Sequence, residues 1–369
     1  MQRALARVNV AAIERNCARL AAAAAPAALC AVVKADGYGH GAVPAARAAQ
    51  AAGAAWLAVA TAPEAAELRA AGIEGPLLVL GALTPEELDV ALRAGADVAC
   101  WREATARTID ARALALGVQA GVHVKLDTGM GRLGTRDADE AARTAAAVAD
   151  APSLRVAGVF THFATADEDD PGFLRAQLAA FAGWADDMRA EHPGVIVHAA
   201  NSAATLAEPA ARMDMVRCGV AIYGLDPFQA DAAAQGLEPA LELRSYLAEV
   251  KPCAKGESAG YGRRFVAERD TWLGTIPIGY GDGYRRGLTN NAEVVIAERR
   301  FPVVGSVSMD NITVDLGARP PEPGAYVTLI GDGVRAEELA ERLATINYEI
   351  TCGISRRVPR EHHRDGEPA

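Results

Sequence analysis

Eight short apolar runs alternate with alanine-rich amphipathic segments between about residues 28 and 225, and this alternation constrains the fold more than any other feature. The runs cover residues 29–34, 56–60, 77–81, 98–101, 122–127, 156–162, 195–200 and 215–218. Strand and helix in strict turn build a parallel sheet, and eight such units predict a (β/α)8 barrel of the TIM type. Helix starts fall between the runs. In TAPE (residues 61–64) and TPEE (84–87) a threonine N-cap precedes an acidic residue three positions on, with a proline in the first turn. The pattern changes after about Gly236. Helical periodicity fades, and β-branched or alternating runs appear at 243–250, 272–278, 294–296, 312–314 and 326–330. The expectation is an α/β barrel over residues 1–235, followed by a mostly β C-terminal domain over residues 236–369, with the boundary in the loop 229–239.

The remaining composition excludes several classes. Net charge is −10 and no basic stripe is present, so no nucleic-acid partner is expected. The first twenty residues carry charges every few positions and lack the apolar core of a secretory signal, so a cytoplasmic location is expected. Alanine tracts such as residues 21–25 fall far short of the ~20 apolar residues that span a bilayer, and no membrane association is expected. The six cysteines, Cys17, Cys30, Cys100, Cys218, Cys253 and Cys352, form no metal-ligand spacing and are read as reduced, small apolar residues. No metal is expected.

Barrel chemistry collects where strands end, because the loops there converge on one mouth. Lys34 ends the first run, Lys125 and Asp127 the fifth, His162 the sixth, Asn201 and Ser202 the seventh, and Arg217 with Gly219 the eighth. A lone Asn or Ser at a strand end often just caps the next helix. Five strands aiming polar groups at one rim is a stronger signal. A partly desolvated lysine at Lys34 has a lowered pKa and can form a Schiff base with an aldehyde. If the aldehyde is pyridoxal phosphate, the rim must also supply a phosphate cradle, a partner for the ring nitrogen and a proton carrier. Tyr38, Ser202 and the backbone N–H groups around RCGV (217–220) offer a cradle, since the last two barrel loops commonly bind phosphate. A Schiff-base aldolase using the same lysine remains open at this point.

A resemblance narrows the choice. The blocks AVVKADGYGHG (31–41), VKLDTGMGRLG (124–134), GVFTHFATAD (158–167), HAANSAA (198–204), VRCGVAIYG (216–224), AGYG (259–262), IPIGYGDGY (276–284), GSVSMD (305–310), INYEI (346–350) and RRVPR (356–360) resemble bacterial alanine racemase in order and over nearly the whole chain. The resemblance implies a pyridoxal-phosphate isomerase interconverting L- and D-alanine, and supplying D-alanine for peptidoglycan. Lys34 then carries the cofactor and acts as one proton-transfer base. Tyr261 is the base on the opposite face. An ordinary phenol titrates near ~10, so donating or positive neighbours must favour its anion, and His162 and Arg217 are the expected ones.

Further roles follow by the same resemblance. Arg217 faces the pyridine nitrogen, with His198 holding it. Arg132 reaches the cofactor's phenolic oxygen and the substrate carboxylate, and Lys125 matches a lysine that the family often carbamylates. Tyr38, Ser202, Gly219, Val220 and Tyr348 match phosphate contacts, which Asn201 supports. Met309 and Asp310 match substrate-side residues that arrive with Tyr261 from a second subunit. A head-to-tail homodimer with shared sites is therefore implied, with Tyr280 and Tyr348 narrowing the access channel. Two other readings stand beside this one. The first is a broader or serine-preferring racemase, which the ring of Tyr348 would crowd. The second is a non-catalytic pyridoxal-phosphate-binding protein, which would need no Tyr261.

Overall fold

Each of the eight apolar runs forms a strand in the computed structural model, which describes residues 2–369. A ninth strand precedes them: β1 (Leu5–Asn9). The barrel consists of β2 (Ala28–Val32), β3 (Trp56–Val59), β4 (Leu77–Val79), β5 (Asp97–Cys100), β6 (Ala120–Lys125), β7 (Leu154–Phe160), β8 (Ile196–His198) and β9 (Met215–Cys218). All neighbours are parallel, and pairing of β9 with β2, Val216 opposite Leu29, closes the ring. Strands enclosed on both faces are mostly apolar, and β4, β5 and β6 are buried at every residue, the polar Asp97, His123 and Lys125 included.

The helix starts follow their local chemistry. Thr61 accepts from the Glu64 N–H and Thr84 from the Glu87 N–H, each glutamate returning a contact to complete a capping box. Asp137 caps the helix Ala138–Asp150 by accepting from the N–H groups of Asp139 and Glu140. Small alanines let helices approach the barrel: Ala45, Ala46, Ala48 and Ala49 in Ala42–Ala51 are all buried.

The chain divides into two compact units. The barrel unit comprises Ile13–Ile222 with Gln235–Leu237. The β unit combines the N-terminal residues through Ala12 with Tyr223–Ala234 and Glu238–Ala369. Residues 2–12 and 223–234 therefore leave the barrel, to which the sequence pattern had assigned them. The reason is pairing: β1 lies antiparallel to Leu241–Tyr246 and parallel to Arg360–Arg364, and its buried Ala6 and Val8 alternate with partly exposed residues. The ten-stranded sheet runs in the order Glu249–Cys253, Thr271–Ile276, Ile312–Gly317, Arg299–Val304, Glu293–Ile296, Tyr326–Ile330, Leu241–Tyr246, β1, Arg360–Arg364, Glu367–Pro368. Leu241–Tyr246 and Ile312–Gly317 alternate buried with partly exposed residues, as a half-covered antiparallel sheet requires. No helix among the described residues is long and apolar enough to cross a membrane.

Candidate active site

Lys34 does not lie in a strand. β2 stops at Val32, and Lys34 opens a single turn whose next four residues, Ala35, Asp36, Gly37 and Tyr38, have φ of 53, 53, 60 and 53°. Left-handed geometry costs on the order of 1–3 kcal/mol at each non-glycine residue, so neighbours must impose it. The Glu64 carboxylate, already in its capping box, also accepts from the Ala35 N–H at 2.7 Å. Asp36 accepts from the Ala42 N–H at 3.0 Å, and the Gly37 N–H donates to the Val33 carbonyl. The turn fixes where the Lys34 side chain departs and brings Tyr38 back into the barrel unit's interior, where it is buried.

Arg217, on β9, is buried and held on two sides. Nη1 lies 2.8 Å from His198 Nδ1; Nη2 donates to the carbonyls of Thr161 and Ala199 and lies 3.2 Å from His162 Nδ1. Arginine can only donate, so both histidine Nδ1 atoms accept and their protons sit on Nε2. That assignment propagates. His198 Nε2 then donates to His123 Nδ1 at 2.8 Å, and His123 Nε2 donates to Asp97 at 3.3 Å. Asp97 also receives Arg155 at 3.0 Å. Burial, followed by the charge of Arg217, holds His162 and His198 well below the usual imidazole range; burial also lowers His123, against the raising effect of Asp97. Two neutral imidazoles, His198 and His123, thus link a guanidinium to a carboxylate inside the barrel, while His162 accepts from the same guanidinium.

Space for this chain comes from glycine. A Cβ on Gly158 would collide with the His123 ring. Phe160, at the end of β7, stacks on His198 with centroids 4.9 Å apart, and its face lies 5.4 Å from both Lys125 Nζ and Arg217 Cζ. Lys125 is buried, and its pKa falls to about 8, chiefly through burial and then through Arg217 and the exposed Arg132. Asp127 offsets little of this. Its oxygens accept from the Gly129 and Gly131 N–H groups and from Arg136, so they are committed to the loop that carries Arg132. Lys34, Lys125, Arg132 and Arg217 all act on His162, which concentrates positive charge at one mouth of an acidic chain.

The proposed cradle residues meet as well. Ser202 Oγ accepts from the N–H groups of Gly219 at 3.1 Å and Ala221 at 3.4 Å, and Val220 opens a 3-10 turn beside them. A Cβ on Gly219 would strike the Tyr38 hydroxyl, so only glycine permits that approach. Asn201 instead caps the short helix Ser202–Ala207, accepting from the Ala204 N–H. Cys218 donates to Thr205 Oγ1 at 3.5 Å, and burial pushes its thiol up to about 11.

In the β unit, Tyr261, Met309 and Tyr280 are 76%, 52% and 42% exposed. The loops bearing Tyr280 and Met309 are zipped together by backbone bonds from the Tyr280 N–H to Ser308 and from the Gly281 N–H to Met309. Arg357 donates to Asp310 at 2.7 Å and contacts the buried Asp282, which also pairs with Arg3. Tyr348 lies in the short helix Asn347–Cys352 and is partly buried.

The family model for the alanine racemase N-terminal domain matches residues 8–227, and that for the C-terminal domain matches residues 240–362. The chain belongs to the alanine racemase family. It is 45% identical over 363 residues to the alanine racemase of Thermobifida fusca, covering 96% of each chain. Against alanine racemase 1 of Bacillus subtilis the identity is 42% over 352 residues, 92% of this chain and 87% of that one. Among solved structures, alanine racemase from the D-cycloserine-producing Streptomyces lavendulae superposes with a TM-score of 0.94 at 40% identity, covering 98% of this chain and 97% of that one. The Bacillus anthracis alanine racemase with bound L-Ala-P gives 0.91 at 36% identity, covering 100% and 97%. The activity is therefore that of an isomerase that racemises alanine, in a family that depends on pyridoxal phosphate.

Several residues that pack against or position the candidate site escaped the sequence reading. His123 interrupts the apolar stretch of β6 ahead of Lys125, which was its one available signal, whereas nothing local marked Asp97 or Phe160. Gln177, buried on the helix Gly172–Glu191, accepts from the Ala164 N–H and donates to the His162 carbonyl, so it positions the loop that carries His162. The barrel-mouth residues fit the family's cofactor: converging cations suit a phosphorylated anion, and Gly219 leaves the Tyr38 hydroxyl room beside the Ser202 cradle.

Proposed function

We propose that the chain racemises alanine by a two-base exchange, Lys34 serving one face of the substrate and Tyr261 the other, with the tyrosine coming from a second copy of the chain. When bound through Lys34, pyridoxal phosphate supplies a conjugated, electron-withdrawing ring that acidifies the α-C–H of an attached amino acid. Lys34 Nζ takes or returns the α-proton on its face, and the Tyr261 hydroxyl does so on the other. Two positioned groups invert a planar centre without either having to cross it. Arg217 presents a permanently charged donor toward the ring nitrogen and is kept from swinging by its contacts to His198, Thr161 and Ala199. Tyr38, Ser202, Gly219, Val220 and Tyr348 hold the phosphate, while Asn201 orders the helix that begins at Ser202. Arg132 orients the phenolic oxygen and the substrate carboxylate; Met309 and Asp310 line the substrate from the partner.

Lys125 is proposed to react with carbon dioxide. The neutral amine adds to carbon, a proton is released, and the resulting carbamate anion pairs with Arg132. Its lowered pKa supports this, because only the unprotonated amine attacks. In the bacterial cytoplasm the product D-alanine would serve peptidoglycan assembly.

The observation that carries the shared-site reading is the exposure of Tyr261, a large side chain that a self-contained site would bury. Mixing Lys34→Ala chains with Tyr261→Ala chains, each inactive alone, should restore activity as subunits exchange, because some sites then hold both intact groups. No recovery despite mass-spectrometric proof of mixed dimers would defeat sharing.

A further inference from the structure

Tyr348 sits second in a helix of only six residues, Asn347–Cys352, too short to hold its own place in water. Its placement is fixed from outside. Asn347, fully buried, makes four hydrogen bonds to two distant segments. Its backbone N–H donates to Gln229 Oε1 at 2.7 Å, and its Oδ1 accepts from Gln229 Nε2 at 3.0 Å. Its Nδ2 donates to the Asp226 carbonyl and to Glu337 Oε1, both at 2.8 Å. Glu337 is itself buried and accepts from the Asp226 N–H at 3.2 Å.

The partners are as constrained as Asn347. Asp226 folds its loop around its own carboxylate, accepting from the N–H groups of Phe228 and Ala230 at 3.0 and 3.1 Å. That wrapping holds Gln229 at φ 59°, a costly conformation for a non-glycine residue, and aims its amide at Asn347. Every polar atom in these contacts has a complementary partner, so the cluster has one low-energy arrangement. Moving Asn347 would strand several buried groups at once.

We infer that Asn347, bolted to Asp226, Gln229 and Glu337, is the positioning residue for Tyr348 and so helps to set which amino-acid side chain the site admits. This rests on the proposed function together with the expectation that the Tyr348 ring, beside the phosphate, crowds larger or hydroxylated side chains. An exposed tyrosine on a free short helix would yield to a hydroxymethyl group; one anchored through its neighbour's buried amide cannot.

The test compares kcat/KM for L-alanine and L-serine in holoenzyme, with circular dichroism and cofactor absorbance checking that each variant is folded and loaded. Tyr348→Ala examines the parent reading: an unchanged alanine-to-serine ratio would remove the gate itself. Given a gate, Asn347→Ala should lower that ratio by about 10-fold, as ångström-scale misplacement does. An unchanged ratio in a folded, loaded Asn347→Ala enzyme would overturn the inference. If Asn347→Ala fails to fold, Glu337→Ala should lower the ratio, and Glu337→Gln, whose amide oxygen can accept both N–H groups, should recover most of it. Equal ratios in that pair would equally overturn it.

Discussion

The barrel unit and the β unit handle their reactive side chains in opposite ways. In the barrel, Arg217, His198, His123 and Lys125 are buried, and each has its charge or tautomer dictated by a neighbour. In the β unit, Tyr261, Met309 and Tyr280 point outward from a well-packed sheet. Burial lets the barrel fix electrostatics in advance, because a low-dielectric interior strengthens each contact and penalises any unpaired group. Exposure costs the β unit that control but leaves its aromatic groups available to another surface. A mutation in the barrel should therefore affect stability and chemistry together, whereas one at an exposed β-unit residue should separate them.

The largest expected effect is at Lys34. Lys34→Ala should eliminate the visible absorbance of lysine-bound pyridoxal phosphate and cut turnover on the order of 10⁴-fold or more; an unchanged spectrum would place the cofactor elsewhere. Tyr261→Ala should cost roughly 10²–10⁴-fold in turnover. It should keep the cofactor and leave Tm nearly unmoved, as expected for an exposed side chain. A large fall in Tm would break the contrast between the two units. Arg217→Ala should do the reverse, destabilising the protein by about 3 kcal/mol in denaturant titration because His198, His162 and two carbonyls lose their donor.

The smallest effect is a pH dependence. Lys125 has a folded pKa of about 8 against 10.5 for the ordinary side chain, so between those values the unfolded chain holds more proton. By linkage, stability should rise with pH across that window, by about 1.4 kcal/mol per pH unit at its steepest. Lys125→Met should remove the rise in carbon-dioxide-free buffer. If wild type and variant give parallel curves there, the amine is not perturbed as described.

Much of the barrel was legible because its signals are local. Apolar runs of four to seven residues marked all eight strands, and Thr61 with Glu64, like Thr84 with Glu87, form the capping boxes their three-residue spacing foretold. The placement of the candidate site residues was legible at the strand ends, since Lys34, His162, Ser202 and Arg217 each follow or lie near the end of a strand. Its supports were not. Glu64 was readable as a cap but not as the acceptor that holds the turn after Lys34.

By itself the sequence determined the number of barrel strands, the change from helical to alternating period and the residue types delivered to the barrel rim, because these depend on neighbours within one or two turns of chain. Only the tertiary structure decided that β1 joins the C-terminal sheet, that His198 meets His123 75 residues away, and that Gln229 bonds Asn347 across 118 residues. Those pairings exist because ring closure and sheet register bring distant buried polar groups face to face, where each must find a partner or bear its desolvation alone.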